Sequence, residues 1–308
     1  MNFSRRNFLK GSAMAAALAA TPALRAATGK TPPHVVMLSL DGIRTDGLQK
    51  AKTPNLDALF AEGCFSWTMR DVMPSITLPN WTSHLVGAGP EQHGVVENSW
   101  SPKKNRIPPT MVDDEGYYPS VFQVLKEQVP GIKTAFYWNW KPLINPYNQK
   151  HFDEAFYEEN DAYAESYAKA LDFMKANRND PTLIFLYSVH TDHAGHRHKW
   201  MSPQYIASIE EADIAIGQLL EQMKAEGLFE GTHFLFMTDH GGVGNGHGGV
   251  SKAEMIVPWG IVGPGIKRGH TIEGVTDTIN TAPTLCRLFG VTKLPPCWQG
   301  KVNTEVFL

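Results

Sequence analysis

The stretch Val35-Val36-Met37-Leu38-Ser39-Leu40-Asp41 carries six uncharged, mostly apolar residues into a carboxylate. It has two counterparts downstream. Leu183–Val189 leads to Asp192 and His196, and Phe234–Thr238 leads to Asp239 and His240. Apolar runs of this length read as strands buried on both faces. In open α/β sheets, ligands bind in the crevice beyond the carboxyl ends of such strands. Three carboxylates and two histidines along that edge offer hard oxygen and borderline nitrogen donors, a set suited to a pair of divalent cations.

Helical signals alternate with these runs. Thr53 precedes Pro54 at a first helical position, with Leu56, Leu59 and Phe60 on one face and Gly63 as a stop. A second helix is expected over about residues 161–176. A long one runs from Pro203 to Ala225, with Ile206, Ile209, Ile216, Leu220 and Met223 as its buried stripe. Thr281 and Pro283 open a short helix closed by Gly290, and Ala135–Trp140 reads as a further strand. Strands alternating with helices predict an α/β fold, a three-layer sandwich with a mostly parallel central sheet and helices on both faces. Residues 98–119, rich in Pro, Asn and charge, read as irregular loop.

The first residues stand apart. Ser4-Arg5-Arg6-Asn7-Phe8-Leu9-Lys10, apolar Ala13–Ala20 and the small residues around Ala23–Ala27 have the order of a twin-arginine export signal. The apolar run is too short to span a bilayer. The expected organisation is therefore a signal over 1–27 and one catalytic domain over 28–308. The export machinery is a partner, the mature chain has no transmembrane segment, and its location is periplasmic or secreted. Without Arg5, Arg6, Lys10 and Arg25, the 28 basic residues fall to 24 against 31 acidic, a net charge of −7. Such a surface lacks the basic footprint for binding a nucleic-acid polymer. Cys64, Cys286 and Cys297 lack zinc-ribbon spacing; oxidising surroundings permit a Cys286–Cys297 bridge, and buried free thiols are an equal expectation.

Between the first and second carboxylates lies Met73-Pro74-Ser75-Ile76-Thr77-Leu78-Pro79-Asn80-Trp81-Thr82-Ser83-His84. Pro79 suits a first helical turn, which places Thr77 just before a helix start, where the dipole and free N–H groups can meet a phosphate. A free threonine is a poor nucleophile. Bonding to a divalent metal favours its alkoxide, as metal binding lowers the pKa of water from about 15.7 to about 7.

Six motifs now stand in order: Asp41-Gly42-Ile43-Arg44, Thr77-Leu78-Pro79-Asn80, His93–Asn98, Asp192-His193-Ala194-Gly195-His196, Asp239-His240-Gly241 and His247-Gly248-Gly249. Together they resemble the alkaline phosphatase superfamily, most closely its nucleotide pyrophosphatase/phosphodiesterase branch, over roughly residues 34–266. The resemblance implies two zinc sites, for which manganese or iron would also suit the donors. Asp192, His196 and His247 would hold one ion. Asp41, Asp239 and His240 would hold the other, with Thr77 bound to it as nucleophile. Asn98 matches the family asparagine whose amide donates to a phosphoryl oxygen. The implied activity is hydrolysis of small phosphate esters, diesters or nucleotide pyrophosphates, through a phospho-threonine. A phosphomonoesterase or phosphonate hydrolase on the same site is the rival, and a non-catalytic zinc-binding protein the alternative from another class.

Some positions depart from the branch. His190-Thr191 replaces an acidic-Pro pair, Arg197-His198 replaces Gly-Pro, and Trp81 replaces a histidine. Trp81 and His190 are accordingly candidate substrate contacts, and Trp100, Trp138 and Trp140 could stack on a base or aryl leaving group or simply fill the core. The chain is short for the branch, which implies a reduced cap over the substrate. Cys64-Phe65-Ser66-Trp67-Thr68 lacks the Pro and Arg of the sulfatase formylglycine motif, which argues against a sulfatase.

Overall fold

Strand β1 (His34–Leu40) is the axis of the molecule, with no residue of it reaching solvent appreciably. The structure, a computed structural model, describes residues 32–308; the predicted export signal lies outside the described residues. Seven more strands join β1: β2 (Cys64–Arg70), β3 (Lys133–Trp138), β4 (Glu154–Tyr157), β5 (Thr182–Ser188), β6 (Thr232–Met237), β7 (Ile256–Val262) and β8 (His270–Thr271). Their order across the sheet is β4-β3-β5-β1-β6-β7-β2-β8. All neighbours are parallel except where β7 meets β6 and β2, so the predicted mostly parallel sheet is present with one reversed strand.

Because side chains alternate along a strand, β1 feeds two separate cores. Val35 and Met37 join the core formed with helices α3 (Thr77–Val86), α5 (Val121–Gln128) and α10 (Thr281–Leu288). Val36, Leu38 and Leu40 join the other, formed with α1 (Thr45–Lys50), α2 (Pro54–Ala61), α6 (Ala164–Ala176) and α8 (Pro203–Ala225). Helices therefore cover both faces, giving the three layers expected. The remaining helices, α4 (Pro90–His93), α7 (His190–His198) and α9 (Lys252–Met255), lie in the connections.

Local chemistry explains the helix ends. The Ser202 hydroxyl accepts from the Tyr205 N–H and Pro203 takes the first position, so α8 begins where the sequence predicts and buries the predicted Ile/Leu/Met stripe. Thr53 precedes α2 but does not cap it; its hydroxyl turns to Asp57 instead. Residues 98–119 form no helix or strand apart from an isolated bridge between Ser101 and Lys104. Cys286 and Cys297 are free thiols rather than a bridge, and burial pushes Cys286 up to about 12. Cys64 opens β2 at the sheet end opposite the carboxylates, against the carbonyls of Lys267 and Val306.

Candidate metal centre

Strands β5, β1 and β6 lie side by side, and their carboxyl ends lead into Asp192, Asp41 and Asp239. Hydrogen bonds from backbone N–H groups lock these ends together. The Asp41 N–H donates to the Ser188 carbonyl at 3.0 Å, Gly42 N–H to Asp239 Oδ1 at 3.1 Å, and Ile43 N–H to Thr238 Oγ1 at 3.0 Å. Gly42 sits at φ +69°, and a Cβ there would lie 3.0 Å from Asp192. Glycine is required twice over at this turn, for its backbone and for its missing side chain.

Helix α7 follows β5 directly, so Asp192 and His196 stand one turn apart on the same face. His196 Nε2 lies 3.4 Å from Asp192 Oδ2, and His247 Nε2 lies 3.7 Å from Asp192 Oδ1. His240 Nε2 lies 3.2 Å from Asp239 Oδ2, 3.5 Å from Asp41 Oδ1 and 3.3 Å from Thr77 Oγ1. Two triplets place one donor atom from each residue within 4.8 Å of the others: Asp192/His196/His247, and Asp41/Asp192/His240. The first is the predicted trio. The second differs from prediction, because Asp192 belongs to both triplets while Asp239 joins through its contact with His240.

Whether a cation suits this cluster can be judged from its unpaired atoms. Asp41 Oδ1, Asp192 Oδ1 and Asp239 Oδ2 are buried and have no hydrogen-bond partner. A bare buried carboxylate oxygen is costly unless it is neutralised or ligates a metal. The other Asp41 oxygen, Oδ2, is held by the Trp81 indole N–H at 3.1 Å and by the Tyr187 hydroxyl. Each histidine presents the same nitrogen. Nδ1 of His196, His240 and His247 faces the carbonyl of Asn245 (2.7 Å), Gly241 (2.8 Å) and Ser75 (3.1 Å) respectively. A carbonyl only accepts, so Nδ1 carries the proton and Nε2 keeps its lone pair, the arrangement of metal-ligating imidazoles.

Charge balance agrees. Burial pushes Asp41 up to about 8, reinforced by the charge of Asp192; burial takes Asp192 to about 7, and burial with the Asp41 charge raises Asp239 well above the carboxylate range. Burial also lowers His247 to about 4 and His240 well below the usual imidazole range, so neither supplies positive charge at neutral pH. Among the described residues, the ion pairs of these carboxylates are with histidines alone. Divalent cations fit the donors, the geometry and the missing charge.

Thr77 is the first residue of α3 rather than the residue before it, with Ile76 at the cap position. The Asn80 amide holds the preceding turn, accepting from Val72 N–H and donating to the carbonyls of Val72, Pro74 and Ile76. Asn98 Oδ1 accepts from the Leu78 N–H at 2.9 Å, which leaves its amide N–H groups for another acceptor beside Thr77.

Two substrate contacts expected from the sequence are placed elsewhere. Trp81 is fully buried, its ring against Phe185 and Tyr187, so it orients Asp41 and cannot stack on a substrate. His190 has both ring nitrogens engaged, by Ser188 Oγ and the Ser208 carbonyl, and its ring lies on Tyr163; it ties α7 to α8. Trp100 and Trp138 are buried as well, leaving Trp140 partly open. Sequence reasoning missed Tyr187, whose place on the inward run before Asp192 was the only signal. It also missed Asp71 at the end of β2, which is 6% exposed with neither carboxylate oxygen bonded. Burial, aided by the charge of Glu254, pushes Asp71 up to about 8.

Comparison with known proteins now fixes the lineage. The chain belongs to the type I phosphodiesterase/nucleotide pyrophosphatase family, which matches residues 35–253, and residues 2–22 match a twin-arginine translocation signal. That signal sends the chain across the membrane; among the described residues no helix is long and apolar enough to cross one. The chain is similar to an uncharacterized pyrophosphatase/phosphodiesterase of Schizosaccharomyces pombe, 28% identical over 67% of this chain and 44% of the relative. It is 28% identical to ectonucleotide pyrophosphatase/phosphodiesterase family member 3 of Rattus norvegicus over 69% of this chain and 25% of that protein. It is 25% identical to the bis(5′-adenosyl)-triphosphatase of Bos taurus over 68% of this chain and 48% of that one. The chain thus spans less than half the length of these relatives. Murine ectonucleotide pyrophosphatase/phosphodiesterase 5, solved as an inactive variant in complex with AMP, shares the fold at a TM-score of 0.71 and 17% identity, covering 86% of this chain and 96% of that one.

Proposed function

We propose that residues 28–308 form one exported catalytic domain that hydrolyses phosphate diesters or nucleotide pyrophosphates at a two-zinc centre, with Thr77 as nucleophile. Asp192, His196 and His247 would hold one ion, and Asp41, Asp239 and His240 the other. When bound, such ions neutralise phosphoryl charge and make a hydroxyl more acidic. The observation that carries the reading is Thr77 Oγ1, at the start of α3, 3.3 Å from His240 Nε2, the nitrogen that also meets the unpaired oxygens of Asp41 and Asp239.

Thr77 Oγ forms a bond to phosphorus as the bond from phosphorus to the leaving oxygen breaks, and the threonine proton is lost to solvent or to the leaving group. Water then adds its oxygen to the phospho-threonine; the Oγ–phosphorus bond breaks and a proton returns to Oγ. The Asn98 amide and the Thr77 N–H, which has no acceptor within its own helix, stabilise charge on the phosphoryl oxygens. The name of the bovine relative makes a dinucleoside polyphosphate one substrate worth trying here.

Thr77→Ala should abolish turnover of bis-aryl phosphates while leaving zinc content intact. Normal turnover by that variant would remove the covalent route. A strong preference of the parent chain for mono-aryl phosphates would favour a monoesterase instead, and zinc uptake without hydrolysis of any ester would mark a plain zinc-binding protein.

A further inference from the structure

Trp200 is no ligand, yet it touches each of the three segments that carry the Asp and His ligands. It is 5% exposed and lies beneath the Asp192/His196/His247 group. Its indole N–H donates to the Gly42 carbonyl at 2.9 Å, directly after Asp41. Its backbone N–H donates to the Gly244 carbonyl at 2.8 Å, in the loop between His240 and His247. The His196 ring meets the indole edge-on at 5.0 Å between centroids, and the His247 ring meets it at 5.8 Å. A Cβ at Gly195 or Gly242 would lie 2.6 or 2.4 Å from the indole, so the backbones of α7 and of the His240 loop close directly onto its faces.

The chain pays conformationally for this placement. Lys199 and Met201, on either side of Trp200, both hold positive φ, at +77° and +69°. Non-glycine residues stay in that region only where the surroundings over-determine them. Here α7 ends with the Lys199 N–H on the Gly195 carbonyl, and the chain doubles back to put the indole under the imidazoles.

We propose that Trp200 is a positioning residue that sets His196 and His247 against Asp192 and thereby fixes the affinity of that metal site more strongly than that of its neighbour, which it meets through backbone alone. The proposal rests on the two-ion reading above. Its departure from a filler role is the change in affinity itself: a filler that merely adds stability would, when trimmed, leave both affinities alone.

The test is zinc titration of the metal-stripped mature chain against a chromophoric chelator, for the parent, Trp200→Leu, Trp200→Phe and a control, Phe234→Leu, buried in the same core on β6. Trp200→Leu should weaken one of two binding steps about 10- to 100-fold, the range seen when groups supporting metal ligands are lost, and the other step by a smaller factor. Trp200→Phe, which keeps a ring but not the N–H, should fall between, and it decides the matter where the leucine variant does not fold. Phe234→Leu should melt lower with both steps unchanged. Parental titration curves for the Trp200 variants would overturn the proposal and leave the two-ion reading standing. A parent chain that takes up no zinc would overturn both.

Discussion

Asp71→Asn should make the protein more stable at alkaline pH, an unusual direction for a change in a buried site. The Asp71 carboxyl has no hydrogen-bond partner for either oxygen, and its pKa rises from 3.8 to about 8. Because its folded value exceeds its unfolded one, the folded state holds an extra proton between about pH 4 and pH 8. Stability from this group is therefore greatest at low pH and drains away as pH climbs through that window, levelling above 8. At about 1.4 kcal/mol per pKa unit, the full penalty is roughly 6 kcal/mol, of which roughly 4 kcal/mol develops between pH 5 and pH 8.5. Asparagine never ionises and removes the slope. The assay is urea denaturation of the zinc-loaded mature chain, parent and variant, at half-unit steps of pH; subtracting the curves cancels every other titrating group. The difference should widen in favour of Asp71→Asn as pH rises. A gap constant to within about 0.5 kcal/mol, the scatter of ordinary surface substitutions, would refute the assignment of a neutral buried acid.

Asn98→Ala should lower kcat/KM on a bis-aryl phosphate by about 10²–10³, the loss typical of one oxyanion donor, with zinc content unchanged by elemental analysis. Trp81→Phe should weaken zinc binding by about tenfold or more in chelator competition, since it removes one of two donors that orient Asp41. Dialysis against a chelator should lower the melting temperature, and restoring zinc to a thousandfold excess over its Kd should return about 4 kcal/mol, read by denaturation with and without the metal. A melting temperature indifferent to chelation would argue that the bare carboxylates are balanced by protons alone.

The sheet was readable because burial on both faces leaves a blunt mark: β1, β5 and β6 are mostly apolar runs that lead into the residues of interest. Long α8 was equally plain, since its cap and stripe agree. What the sequence hid were matters of orientation. Trp81 carries an indole that in isolation fits a stacking platform as well as a core; only its zero exposure and its bond to Asp41 separate the two. His190 is one of several histidines in a short run, and nothing in their spacing says that its ring turns toward Ser208 while His196, six residues on, turns toward Asp192. Asp71 and Trp200 are single residues in stretches with no periodic signal. Their roles come from long-range contacts, which local pattern does not encode.

The β1–β6 register ends with Ser39 opposite Met237, and just beyond it the Gly42 N–H donates to Asp239 Oδ1, which holds Asp41 beside Asp239. The separation of those carboxylates is thus inherited from the spacing between hydrogen-bonded strands, about 4.8 Å in any parallel sheet. Side-chain replacement can empty or weaken such a centre but has little purchase on its width. To change the gap, a strand would have to slip, and a slip of one residue would turn its inward faces outward. The dimensions of the chemistry are therefore as resistant to drift as the backbone ladder itself.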